Sequence, residues 1–427
     1  MEAGFNLRAA PPSDPRVIPA TAPSNAAVTP TIRELVRVFL RISLLGFGGP
    51  NAHLALMLDE VVDQRGWISR EHFLQLVGIT NLLPGPNSSE VAIHIGYTQR
   101  GWRGALATGL AFLAPTFLLV LFFSYLYFRF GTLPQVEGIF WGLKPAVLAV
   151  ILAAGWKLAR TALERPDTGR VAIHRPLLAF LVLAGVATSL LLDRWEVGAM
   201  AVGGLVGWAL LRDPGVRDEP RDQEVQPPRS YGGFLLLPTA LSASLPALPS
   251  VAAPLAQLFG LTLGVGAVLF GGGYMLVALL QPFVVGAYGW LTPQEFLDGV
   301  ALTQAVPGPI VTLVAFVGFA VAGFPGAVVA TAGIYLPSFG AVLLVAPALE
   351  RWRHLESMGA ALRGVNAVVA GAILGVGISL IPPALEDVWG GGILFLSLAI
   401  LVRFRPKALW IVAGGIVAGL LHVLLSA

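Results

Sequence analysis

Asn81-Leu-Leu-Pro84-Gly85-Pro86-Asn87-Ser88-Ser89-Glu90 is a polar break inside an otherwise apolar run. Each proline removes a backbone donor and clashes with the preceding turn, so no regular helix runs through Pro84 and Pro86. In lipid no water repairs such a break. The freed amides and carbonyls have to face protein or a water-filled cavity. The break occurs twice, and the second copy reads Gln304-Ala-Val-Pro307-Gly308-Pro309-Ile-Val-Thr312.

Around these breaks the chain is strongly apolar. Of its 427 residues 56% are hydrophobic and 12% charged, where a soluble domain carries roughly 25% charged residues. Mean hydropathy is +0.77. Long apolar runs over nearly the whole length make it an all-α polytopic membrane protein in a lipid bilayer. The absence of cysteine excludes disulfides, thiolate metal sites and thiol redox chemistry. Residues 1–31 are rich in Pro, Ala, Ser and Thr and lack the apolar core of a signal peptide. They read as a disordered tail.

Sliding the sequence against itself finds a repeat at an offset of 223. Phe47-Gly48-Gly49 matches Phe270-Gly271-Gly272, Trp67 matches Trp290, and Pro84-Gly85-Pro86 matches Pro307-Gly308-Pro309. Ser89 falls on Thr312. One residue of slippage later, Pro115-Thr116-Phe117 falls on Pro337-Ser338-Phe339. The chain thus divides into a first half over 32–211, a linker over 212–254 and a second half over 255–427. The linker is charged at first, then apolar and proline-rich. Each half is expected to open with one apolar helix, Leu35–Leu58 and Leu255–Val285. The broken segment and further apolar helices follow.

Lys and Arg concentrate in 157–175, 212–229, 351–363 and 403–407, which marks those loops as cytoplasmic. Two arrangements satisfy this, with about 10–13 crossings. In one the breaks are re-entrant, each half crosses five times and the N-terminus is outside. In the other they span, each half crosses six times, and 233–254 adds a thirteenth crossing. Both invert the second half relative to the first, the usual plan of secondary transporters.

An inverted repeat brings its two breaks together near the midplane, where helix N-termini favour anions. Neutral donors cluster there: Asn81, Asn87, Ser88 and Ser89 at the first break, Gln304 and Thr312 at the second. They can replace part of an oxyanion's hydration shell, or simply cap their own helices. The Phe-Gly-Gly elements allow close backbone approach, or ordinary small-residue packing. Arg41 and Lys144 are the candidate fixed positive charges, although Arg41 could equally snorkel to the interface. Glu90 and His94, four apart on one face, and His53 are candidates for proton coupling. As a metal pair Glu90 and His94 lack further ligands at suitable spacing. No nucleotide loop is present, so transport would draw on ion gradients.

Gly46-Phe-Gly-Gly-Pro-Asn-Ala-His53, Gly66-Trp67, Leu83-Pro-Gly-Pro-Asn-Ser88 and His94-Ile-Gly-Tyr97 resemble the chromate transporter family in its long, two-half form. So do Leu269-Phe-Gly-Gly-Gly-Tyr274, Gly289-Trp-Leu-Thr292, Pro307-Gly-Pro309 and Leu336-Pro-Ser338 in the second half. The resemblance covers about Leu35 to the C-terminus. It implies a non-enzymatic, multi-pass protein of the inner membrane that exports chromate, driven by the proton-motive force. Sulfate would be a competitor or the substrate of a related oxyanion transporter. No cofactor, metal or nucleic acid is implied, and a homodimer is left open. Members of the family often carry a basic residue in the first helix of both halves, whereas here Arg41 aligns with Gly264 and Lys144 with Asn366. A membrane-embedded enzyme would need clustered acids, histidines or a metal set that the chain does not supply. A scaffold would not need paired breaks at membrane depth.

Overall fold

Among the described residues of the computed structural model six glycines have positive φ, and they form three repeat pairs: Gly66 with Gly289, Gly85 with Gly308, and Gly101 with Gly323. The turns of one half therefore recur in the other. The structure describes residues 29–46, 50–80, 83–131, 133–164, 171–192, 195–211, 252–270, 273–345, 356–385, 387–404 and 406–426. Among these, all regular structure is helical. Most of the tail and most of the linker lie outside the described residues.

The first half runs α1 (Ile32–Leu45), α2 (Pro50–Met57), a π turn (Leu58–Gln64), α3 (Arg70–Thr80), α4 (Asn87–Phe130), α5 (Pro134–Leu163), α6 (Val171–Leu191) and α7 (Glu196–Leu210). The second runs α8 (Ala252–Val268), α9 (Met275–Gln281), a π turn (Pro282–Ala287), α10 (Pro293–Ala305), a short 3-10 turn (Ile310–Thr312), α11 (Leu313–Gly340), α12 (Glu356–Ser379), α13 (Val388–Phe404) and α14 (Ala408–Ser426). Five helical stretches are long and apolar enough to cross a membrane, within Asn87–Phe130, Val136–Leu163, Ile310–Leu344, Met358–Ser379 and Ala408–Leu425. The outer surface carries exposed Leu and Phe side chains and exposed Trp156, Trp195, Trp208, Trp389 and Trp410, as a lipid-facing surface with interfacial aromatics requires. The protein is a multi-pass membrane protein.

The broken segments are hairpins. Gln99 Nε2 donates to the Trp67 carbonyl at 3.1 Å, so the start of α3 and the end of the first leg of α4 lie at one end. In the second half a Cβ on Gly299 would run into the Phe316 ring, across the same kind of fold. After each hairpin the chain reverses again, at Arg100–Gly101 and at Ala322–Gly323. There the legs approach so closely that a Cβ on Gly96 would meet the Gly104 carbonyl, and one on Gly318 the Gly326 carbonyl.

The opening segment of each half departs from expectation. Leu35–Leu58 and Leu255–Val285, read as single helices, are each two helices. Arg41 reaches Glu60 at 3.2 Å, and Arg100 Nε donates to the Pro30 carbonyl at 2.7 Å. Residues 30, 67 and 99–100 thus share one end, and the chain folds back between α1 and α2. The physical cause in the first half is Pro50, which begins α2 and cannot extend α1. With 14 residues, α1 is ~21 Å long at 1.5 Å per residue, short of a ~30 Å hydrocarbon core.

The two halves are interlocked. Helix α5 and its repeat equivalent α12 pass in opposite directions: Gly155 packs on Ile373 and Leu374, while Trp141 Nε1 donates to Asp387 Oδ2 at 3.1 Å. That is the inversion expected from the basic loops. Helix α12 packs on α6 and α7 of the other half, and α5 on α13 and α14. Glycines line both seams. Gly364 abuts Gly203 and Gly207, and Gly142 abuts Gly415 and Gly419, so backbones approach where lipid supplies no hydrophobic drive for association.

Candidate functional site

Each half contributes two hairpin tips, and the tips of opposite halves bond to one another. The Gly85 amide donates to the Leu269 carbonyl at 2.7 Å, and the Gly308 amide to the Gly46 carbonyl at 3.3 Å. Leu269 and Gly46 are repeat equivalents at the ends of α8 and α1. Thr116 Oγ1, on the long leg of α4, donates to the Pro307 carbonyl at 3.0 Å and lies 3.3 Å from Ser43 Oγ. Its repeat partner Ser338 lies against Gly85, beside the Glu90 carboxyl group. The backbone needs glycine at both tips: φ is 146° at Gly85 and 120° at Gly308, and a Cβ would strike Ser338 and Glu90 in one case and Thr116 in the other.

These contacts are lined by polar groups. Ser88, Ser89, Glu90, His53, Thr116 and Ser338 are buried. Among the described residues the Glu90 oxygens and Ser338 Oγ have no hydrogen-bond partner. Buried polar atoms without partners are costly, so a cluster of them at a helix break points to a polar ligand or ordered water. Ser89 faces the buried Tyr335 hydroxyl, and Gln304 faces Tyr274. A cavity of about 40 Å³ lies between the second-half tips, lined by Pro50, Gly273, Tyr274, Gln304, Gly308 and Ile310 among others. That is room for a water molecule and little more. Neither Pro86 nor Pro309 can cap the helical turn that follows with a side chain, so the leading amides of α4 and of the 3-10 turn are capped by no prolyl side chain.

Of the residues singled out from sequence, Pro84, Gly85, Pro86, Asn87, Ser88, Ser89, Gln304, Pro307, Gly308, Pro309 and Phe270 lie at or beside the tips. Phe47, Gly48, Gly49, Asn81, Gly271 and Gly272 fall outside the described residues. Thr312 is nearby, but its hydroxyl donates to the Pro309 carbonyl at 2.9 Å within its own turn. His53 is fully buried, edge-on to Phe112 at 5.0 Å. Glu90 and His94 are both buried yet do not bond each other.

The two cations are placed differently from the neutral donors. Arg41 has a side chain 60% exposed and pairs with Glu60, which also binds Arg65. Lys144 is buried 3.6 Å from Asp298, nine residues before Pro307. Each positive charge thus has an acid beside it. Sequence reading assigned no role to Tyr335, Ser338, Thr116 or Asp298. For Thr116 and Ser338 the signal existed, since they are a repeat pair one residue after a matched proline.

The profile of the chromate transporter family matches residues 33–208 and 256–420, most of each half. The chain belongs to the chromate transporter family. The chromate transport protein of Cupriavidus metallidurans is 31% identical over 398 residues, covering 93% of this chain and 94% of that one. A probable chromate transport protein of Synechococcus elongatus is 31% identical over 359 residues, 84% of this chain and 86% of the relative. The chromate transport protein of Pseudomonas aeruginosa is 31% identical over 410 residues, covering 91% and 92%. No solved structure matches. In this member of the family, the contacts of each Pro-Gly-Pro tip with the first-helix end of the opposite half are the feature both halves build together.

Proposed function

We propose that the protein exports chromate across the inner membrane by alternating access between its inverted halves, driven by the proton-motive force. What supports the reading is that each Pro-Gly-Pro tip is bonded through its glycine amide to the end of the first helix of the opposite half. A tetrahedral dianion would sit at these contacts against the start of α4, held by backbone amides and by Asn87, Ser88 and Ser89. From the sequence repeat we assign Phe47, Gly48, Gly49, Phe270, Gly271, Gly272 and Asn81 to the same site, with Gln304 and the Thr312 turn beside the second tip. Arg41 and Lys144 supply positive field, reduced by their acid partners. Glu90, His94 and His53 are the groups available for proton coupling.

Sulfate is the competing substrate. The neutral donors at the tips select a shape and a charge class, and sulfate shares both with chromate. Expression in a chromate-sensitive host is expected to confer resistance, with lower cellular chromate. An uptake panel of sulfate, molybdate and chromate separates the two readings: a protein that moves sulfate and ignores chromate is a transporter of the other oxyanion.

A further inference from the structure

Lys144 and Asp298 form an ion pair with each side chain only 8% exposed, between the transmembrane α5 of one half and the hairpin of the other. Tyr127 donates its hydroxyl to the second Asp298 oxygen at 2.8 Å. Tyr127 lies three residues before the end of α4, and Asp298 five residues into α10. The contact therefore sits at the mouth of the second-half hairpin, on the face toward which that hairpin opens. Aromatic rings close around it: Tyr127 lies 5.3 Å from Phe140 and 5.4 Å from Phe316, and Phe128 lies 5.2 Å from Phe316.

The repeat makes this cluster one-sided. The positions equivalent to Lys144, Asp298 and Tyr127 are Asn366, Gln75 and Leu349, which cannot form an ion pair. A buried ion pair is weak as a stabiliser, because desolvation offsets its attraction, and its best-attested use is to specify one of several arrangements. Packing alone would serve a static contact at this depth.

We propose that Lys144, Asp298 and Tyr127, with the rings around them, are the gate on the face at which the second hairpin opens. The ion pair latches that gate shut, holding the hairpin leg against the first half. Movement of this hairpin exposes its Pro307-Gly308-Pro309 tip to that face. Opening separates the pair, and the equivalent positions for the first hairpin on the opposite face, Gln75, Asn366 and Leu349, carry no charge with which to form it. The two gates therefore differ in what holds them. The meaning of the gate rests on the transport reading, whereas its test requires no substrate.

The chain has no cysteine, so one introduced at Val306, a buried residue beside the second tip, reports access alone. The full-length Val306→Cys protein in vesicles is treated with a membrane-impermeant maleimide from either face. Adding Asp298→Asn or Lys144→Gln is expected to speed labelling about tenfold from the face of the second-hairpin mouth, with the opposite face unchanged. Exchanging the charges, Lys144→Asp with Asp298→Lys, is expected to restore slow labelling. Labelling unaltered by either neutral variant overturns the gate. So does a rise from both faces alike, which marks general loosening of the fold.

Discussion

Gly85 and Gly308 each donate their amide proton into the opposite half, to Leu269 at 2.7 Å and to Gly46 at 3.3 Å. The tips are thus fastened to each other's neighbours and not to their own. At φ of 146° and 120° an alanine would cost ~1–3 kcal/mol in backbone strain alone, with its Cβ in collision besides. Gly85→Ala and Gly308→Ala are both expected to abolish transport and to lower the midpoint of thermal unfolding in detergent. An alanine tolerated at one tip alone would break the equivalence of the halves.

Thr116 and Ser338 are repeat partners with different duties. Thr116 holds the Pro307 carbonyl, so Thr116→Val leaves a buried acceptor unpaired and is expected to destabilise by about 1–3 kcal/mol. Thr116→Ser keeps the donor. Ser338 Oγ has no hydrogen-bond partner among the described residues, so Ser338→Ala is expected not to destabilise the protein while reducing transport. Denaturation and flux measured on the same preparations check the contrast.

Because Pro30 lies beside Arg100 and Leu211 accepts from Arg363, the N-terminal end and the end of α7 are expected on one face. The basic 157–175 and 351–363 loops adjoin that end in the sequence, so it is expected to be cytoplasmic. Reporter fusions after Pro30 and after Leu211 are expected to read inside, and one after Leu255 outside. An external N-terminus would restore a single spanning helix at Leu35–Leu58.

The glycine seams carry the association of the halves. Gly364 has no room for a side chain against the Gly203 carbonyl, and Gly142 none against Gly415. Gly364→Val and Gly142→Val each overpack a helix contact, a change that typically costs ~1–3 kcal/mol. Both are expected to lower thermal stability, whereas Gly260→Ala, where a Cβ meets open space, is expected to be neutral.

Much of this architecture was legible in the sequence because glycine, proline and tryptophan survive in matched positions of a repeat. The two breaks and the order of segments came from that match, and the inversion came from the distribution of Lys and Arg among the loops. The reversal between α1 and α2 was harder to see, since Pro50 stands where the second half has Gly273. Hydropathy runs smoothly across both. Lys144 read as a cation available to substrate because its acid lies 154 positions away in the other half, at a position whose first-half equivalent is Gln75. Arg41 likewise meets Glu60 only because the chain folds back between them.

The central claim is that an oxyanion passes where each Pro-Gly-Pro tip meets the opposite half. Its most direct measurement is uptake of labelled chromate by energised everted vesicles carrying the wild-type protein, Asn87→Ala or Arg41→Ala at equal abundance. Accumulation by the wild type, reduced about tenfold or more by Asn87→Ala and less by the exposed, acid-paired Arg41→Ala, is the expected result. Accumulation that Asn87→Ala leaves untouched, or none by the wild type, would contradict the account.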